Sequence, residues 1–241
     1  MIPSLQLAQF GRAGQSGLVG ADPYFANVQL LLHFDGTDAS TTFVDEKGHT
    51  VTATGNAQID TAQSHAGGAS GLFDGAGDYL RIPGSSDFYV GSGDFTAECF
   101  VRPSSVVGIQ FFASPRRVSG ADYNWYWYQV DGLLRFIGIG PTAGTTLVNL
   151  SGGTLTAGGS FQHIGVCRSG NTWYLLHEGS VVDSATASGS IYDAAEDFLI
   201  CKDASTAGRE FAGHMDEFRF TVGAARYTGS YTVPTAPFPD S

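Results

Sequence analysis

Cysteine is scarce in this chain, basic residues are outnumbered, and no long apolar run occurs. The three cysteines, Cys99, Cys167 and Cys201, are odd in number and widely spaced. That fits neither a disulfide framework nor a zinc site. Each lies in a strand-like apolar context, so they read as buried thiols acting as small hydrophobes, in a protein that folds in a reducing cytoplasm. Twelve Lys and Arg face 23 Asp and Glu, for a formal net charge of −11. This argues against a nucleic-acid partner, because phosphate binding draws on clustered basic side chains. The adjacent pair Arg116-Arg117 follows Pro115 and reads as a solvated turn. Met1–Gly20 has neither a basic n-region nor an apolar h-region, and no stretch approaches a membrane span. The expectation is a protein with no signal peptide and no membrane insertion.

What is abundant is glycine. Thirty-three glycines, nine prolines, 15% charged and 42% hydrophobic residues in 241 describe a folded chain of short strands joined by tight turns. A sandwich of this size buries roughly 70–75% of its unfolded surface, so it needs no covalent staple. About a dozen short runs show period-two alternation or continuous apolar character, without sustained 3.6 periodicity. Phe95, Ala97, Cys99 and Val101 alternate with Thr96, Glu98, Phe100 and Arg102. Further runs include Leu133–Ile139, Thr172–His177 and Phe211–Val222, with Asp-Gly turns at 35–36 and 74–75. A single helical turn is expected near Ala224–Tyr227, and Pro234, Pro237 and Pro239 end regular structure. The fold class is all-β, an antiparallel two-sheet β-sandwich. Residues 1–27, with the glycine-rich run at 11–17, read as an N-terminal arm outside a 28–241 core, either a leader or a docking segment.

Several stretches taken together resemble the laminin-G-like modules of the concanavalin A-like superfamily, of the kind found in bacteriophage virion and tail proteins. They are Leu31-Leu32-His33-Phe34-Asp35-Gly36, Phe73-Asp74-Gly75-Ala76-Gly77-Asp78-Tyr79-Leu80, Gly93–Pro103, Phe161–Arg168 with Trp173-Tyr174-Leu175, and His214–Thr228. In the family, the Phe73–Leu80 stretch looks like a hairpin whose Gly-rich turn links two strands. The resemblance implies a concanavalin A-like jelly roll and a non-enzymatic virion component, a capsid or tail decoration or adhesion protein. It also implies homo-oligomers, contacts with other virion proteins, and host surface glycans as ligands, with a lectin-like attachment module as the alternative. Calcium at a rim of the sandwich belongs to the same implication. Asp35, in its acidic turn, and Asp216 on the closing strand are the positions expected to converge if first and last long strands pair.

Direct reading of the residues gives little catalytic chemistry. Glycosidases of the superfamily carry a Glu-x-Asp strand, absent here, and need two carboxylates about 5–5.5 Å apart for retention. Asp216 and Glu217 are adjacent, so regular alternation sends them to opposite faces and excludes a converging pair. Asp193, Glu196 and Asp197 read as a solvated loop, and no Gly-x-Ser-x-Gly elbow occurs. His33, His163 and His177 read as structural. The strongest binding signal is Tyr123-Asn124-Trp125-Tyr126-Trp127-Tyr128. Alternation places Trp125 and Trp127 on one face, Tyr126 and Tyr128 on the other. Core packing, a subunit contact and sugar stacking all remain open for these four candidate ligand residues.

Overall fold

Strand follows strand with little between them except turns. β1 (Val28–Leu32), β2 (Thr52–Thr54), β3 (Gln58–Asp60), β4 (Ser70–Asp74) and β5 (Tyr79–Ile82) precede the long β6 (Phe95–Pro103). The middle supplies β7 (Ile109–Pro115), β8 (Trp125–Val130), β9 (Leu133–Ile139) and β10 (Thr146–Thr154). Last come β11 (Gln162–Ser169), β12 (Thr172–His177), β13 (Ser180–Thr186), β14 (Phe198–Ile200) and β15 (Ala212–Val222). The computed structural model describes residues 21–115, 124–142, 145–193, 196–203 and 206–241. Residues 1–20 of the arm, the Arg116-Arg117 pair and Tyr123 lie outside the described residues.

The strands form two antiparallel sheets. One runs β13-β12-β11-β6-β15-β4-β3, with β1 also on β15; the other runs β10-β9-β8-β7-β14-β5-β2. β1 therefore pairs with the closing strand, Leu32 opposite Phe218. The β8–β9 and β12–β13 connections place Asp131-Gly132 and Glu178-Gly179 at positive φ, the two-residue turn whose twist matches a hairpin. Between the sheets, Phe95, Trp125, Phe136, Trp173, Phe198, Phe218 and Phe220 are essentially fully buried and form one aromatic core. This is the two-sheet sandwich expected from the strand pattern.

Three local expectations are revised. β4 and β5, joined by the Gly-rich turn, do not form a hairpin, because they enter opposite sheets. Buried Asp78 fastens the crossover, accepting from the Asp74 amide at 3.0 Å and the Asn56 amide at 2.7 Å. No helical turn forms at Ala224–Tyr227: the Ala224 carbonyl accepts from Thr96 Oγ1, and the Arg226 amide donates to that same hydroxyl. Residues 21–27, assigned above to the arm, pack on the sandwich. The Asp22 carboxylate is buried there because Arg219 and Arg226 neutralise it. Together with 223–241 these residues cover the outer face of the eight-stranded sheet, where Val28, Leu31, Phe100 and Phe238 make a second apolar cluster.

Candidate functional site

Alternation on β8 separates its aromatic residues as the sequence requires, and packing then decides which face is inside. Trp125 and Trp127 are 0% exposed. The Trp125 ring lies 5.7–6.3 Å from Phe95, Phe136, Phe198 and Phe220, and Trp127 meets Phe112 at 5.5 Å. Their candidacy as ligand contacts is corrected: both indoles are core, since their large apolar surface fills the gap between the sheets.

Tyr126 and Tyr128 point the other way, partly exposed on the outer face of the seven-stranded sheet. Phe111 on β7 stacks on Tyr128 with ring centroids 5.1 Å apart and planes 16° apart. Tyr126 meets both rings edge-on, at 6.2 Å from Phe111 and 6.4 Å from Tyr128. Arg135 on β9 lies directly across from Tyr128, and Ile137 across from Tyr126. Burial raises the Tyr128 pKa, against the opposing charges of Arg135 and Arg209, so the phenol keeps its proton. Phe111 is itself buried, 4% exposed, so it backs the pair from beneath, and the platform open to solvent is Tyr126 and Tyr128, with a hydroxyl donor and guanidiniums beside them. Phe111 and Arg135 were missed in the sequence, although outward Phe111 beside inward Phe112 is the alternation expected of β7.

The carboxylates of the closing strand depart from the expected geometry. The β15–β6 register shifts between Asp216 and Arg219, and Glu217 adopts φ 52°. This bulge turns both carboxylates toward the outer face of the eight-stranded sheet, so the opposite-faces argument fails. Both are fully buried. Glu217 accepts from His33 Nδ1 at 2.8 Å and from the Phe238 amide at 2.8 Å. Asp216 Oδ2 accepts from the His65 amide at 2.7 Å and the Ala66 amide at 3.2 Å. Its Oδ1 is buried without a hydrogen-bond partner. Burial pushes the Asp216 carboxyl up to about 7, with the Glu217 charge adding to the rise against the two amide bonds.

Asp35 reaches the same loop from outside. A Cβ placed on Gly67 would lie 2.1 Å from Asp35 Oδ2, so the carboxylate rests directly against that glycine. The structure thus brings Asp35 and Asp216 to one loop, 63–67. An orphaned carboxylate oxygen, a second carboxylate and peptide carbonyls are hard oxygen donors of the kind calcium takes. No cluster of three or more His, Cys, Asp or Glu suited to a metal occurs among the described residues, so carbonyls would supply the remaining ligands.

Residues 74–225 match a laminin-G-type family model described as the concanavalin A-like lectin/glucanases superfamily. No curated protein sequence matches the chain. Among solved structures, the binding domain of Paraclostridial Mosquitocidal Protein 1 superposes with a TM-score of 0.66 at 14% identity, over 85% of this chain and 50% of that one. Domain 4 of AbnA, an extracellular arabinanase from Geobacillus stearothermophilus, in complex with arabinotriose, gives 0.55 at 16% identity, over 83% and 94%. The binding domain of botulinum neurotoxin DC in complex with SialylT gives 0.59 at 8% identity, over 90% and 50%. The chain spans about half the length of the toxin binding domains it matches. At these identities the structural likenesses establish the fold, and no helix among the described residues is long and apolar enough to cross a membrane. With the family match spanning 74–225 and the two sheets arranged as described, the chain belongs to the concanavalin A-like lectin/glucanase superfamily.

Proposed function

We propose that the chain is a non-enzymatic glycan-binding module whose ligand stacks on the outer face of the seven-stranded sheet. The Tyr126–Tyr128 pair, backed by buried Phe111 and with Arg135 across the strand, carries this reading. A sugar ring offers an apolar C–H face to an aromatic ring and hydroxyls to a phenol or guanidinium. Sugar complexes of two proteins that share the fold support the ligand class. The paired carboxylates most suggestive of hydrolysis, Asp216 and Glu217, are buried and committed to amides and His33, which supports binding without catalysis. On a glycan array, Tyr128→Ala is expected to weaken the best ligand about tenfold. Binding unchanged in both Tyr126→Ala and Tyr128→Ala would remove the platform from the account.

The proposed setting is a bacteriophage virion, with the module as a homo-oligomeric decoration or adhesion part among other virion proteins, meeting host surface glycans. It is supported by the motif resemblance and by three cysteines that are free and buried. An antibody to the chain should label intact particles; reaction with unassembled protein alone would defeat this setting.

Calcium held by Asp35 and Asp216 is part of the same proposal, supported by the orphaned Asp216 Oδ1. The ion would neutralise the buried carboxylate and tie loop 63–67 to β15. Calcium at 100 times its Kd is expected to raise Tm by about 5–10 °C over EDTA. Asp216→Asn should abolish the rise, and a rise equal to wild type in that variant would place any ion elsewhere.

A further inference from the structure

The outer face of the eight-stranded sheet, on the far side of the sandwich from Tyr128, contains a cavity of about 400 Å³, within the range of ligand pockets. Loop 63–65 forms one wall, residues 159–161 before β11 form the other, and Arg102 of β6 forms the base. Arg102 Nε donates to the Gly159 carbonyl at 2.8 Å. Its two Nη groups have no partner among the described residues, and no acidic residue lines the cavity. Arg168, also without an ion pair among the described residues, gives its N–H groups to three backbone carbonyls. Arg81, Arg209, Arg219 and Arg226 all pair with carboxylates.

We propose that this cavity is a second binding site, for an acidic sugar residue whose carboxylate docks on the Arg102 fork. The inference rests on the glycan-binding reading and names a ligand class for a site distinct from the platform. A guanidinium held at Nε presents its remaining N–H groups in the planar arrangement a carboxylate accepts. Ser64, Ser160 and Gln63 supply hydroxyl and amide groups for the sugar's own hydroxyls. Phe161 and His65 supply ring surface. The His65 ring is fixed, stacked on Phe100 at 3.5 Å and donating from Nε2 to the Pro234 carbonyl at 3.1 Å. Arg102 is the one Lys or Arg among the residues lining the cavity. A phosphate dianion fits less well, because it calls for more positive charge or a nest of amides. The amides of His65 and Ala66 are already given to Asp216.

Titration calorimetry on the full chain tests this, with 3′-sialyllactose and digalacturonate as acidic probes, lactose as the neutral control and inorganic phosphate as the ion control. Arg102→Gln is expected to weaken an acidic probe by about tenfold or more, while leaving the response to lactose as in wild type. Whichever acidic probe responds identifies the sugar acid. Acidic-probe binding that survives Arg102→Gln overturns the second site. Lactose bound at Tyr128 with neither acidic probe bound overturns it also and leaves the platform standing. Phosphate bound at Arg102 as tightly as the sugar acids overturns the ligand class. Acidic binding lost in Arg102→Gln, with no neutral glycan bound anywhere, supports this site and overturns the platform. Should Arg102→Gln fold poorly, Arg102→Lys keeps the charge and loses the fork; affinity equal to wild type there overturns bidentate docking.

Discussion

Glu98→Ala is expected to destabilise the protein by about 3–5 kcal/mol, the usual cost of removing one partner from a buried ion network. Glu98 is 0% exposed on the outer side of β6, under the C-terminal segment. Its Oε1 accepts from Arg219 Nε at 3.0 Å and Nη2 at 2.8 Å. Its Oε2 accepts from Tyr227 Oη at 2.8 Å and His163 Nε2 at 3.2 Å. Arg219 continues to Asp22, which Arg226 grips at 2.7 and 2.9 Å. Two acids and two guanidiniums balance. Without Glu98, two buried guanidiniums share one carboxylate, and Tyr227 and His163 lose their acceptor. For a chain of this length Tm should fall by roughly 6–20 °C; a fall under about 2 °C in thermal melts would refute the network's weight.

The same network sets the acid limit of the fold. Burial alone would raise the Glu98 carboxyl, but Arg219, the His163 bond and Arg226 outweigh it and hold the group well below the usual carboxylate range. An acid depressed on folding contributes stability above its unfolded pKa, about 4.3, and that stability is lost as pH falls below it. Urea melts should therefore show wild type weakening steeply below about pH 4, with a shallower decline in Glu98→Gln.

Much of the sandwich is legible in the sequence because strand alternation and turn chemistry are local. β9 and β12 have the predicted bounds, and each outward or inward residue of β6 follows from period two. Alternation also sorted β8 into two faces, but both were aromatic. Periodicity cannot tell which of two aromatic faces fills the core; contacts with Phe95, Phe136 and Phe220 do. The bulge at Glu217 left no trace, since neither glycine nor asparagine marks its positive φ. The error over Asp216 and Glu217 followed from that one residue. Asp22 was placed in the arm because Arg219 and Arg226 lie 197 and 204 positions away. The Arg102 cavity likewise needs loops from two distant segments to meet.

Arg168→Met is expected to cost about 4 kcal/mol, although buried cations elsewhere have been replaced by apolar residues without loss. The difference lies in what would remain. Arg168 is 1% exposed and makes no ion pair among the described residues. Instead Nε donates to the Gly170 carbonyl at 2.8 Å, Nη1 to Gly91 at 3.1 Å and Nη2 to Gly189 at 2.7 Å. Its guanidinium also lies 4.5 Å from the Trp173 ring centroid. One side chain thus ties together the loops before β6, between β11 and β12, and after β13. Methionine can keep the packing on Trp173, but it leaves three carbonyls without their donor, and an orphaned polar group costs more than a hydrogen bond gains. Lysine should recover little, because a point ammonium cannot reach three carbonyls arranged around a fork. Thermal melts should place both variants roughly 8–16 °C below wild type. Hydrogen exchange should also quicken at the Gly170 amide, now bonded to Asp94 Oδ1 at 2.7 Å. A Met variant melting within about 2 °C of wild type would mean that water satisfies all three carbonyls and that the guanidinium is not what joins the loops.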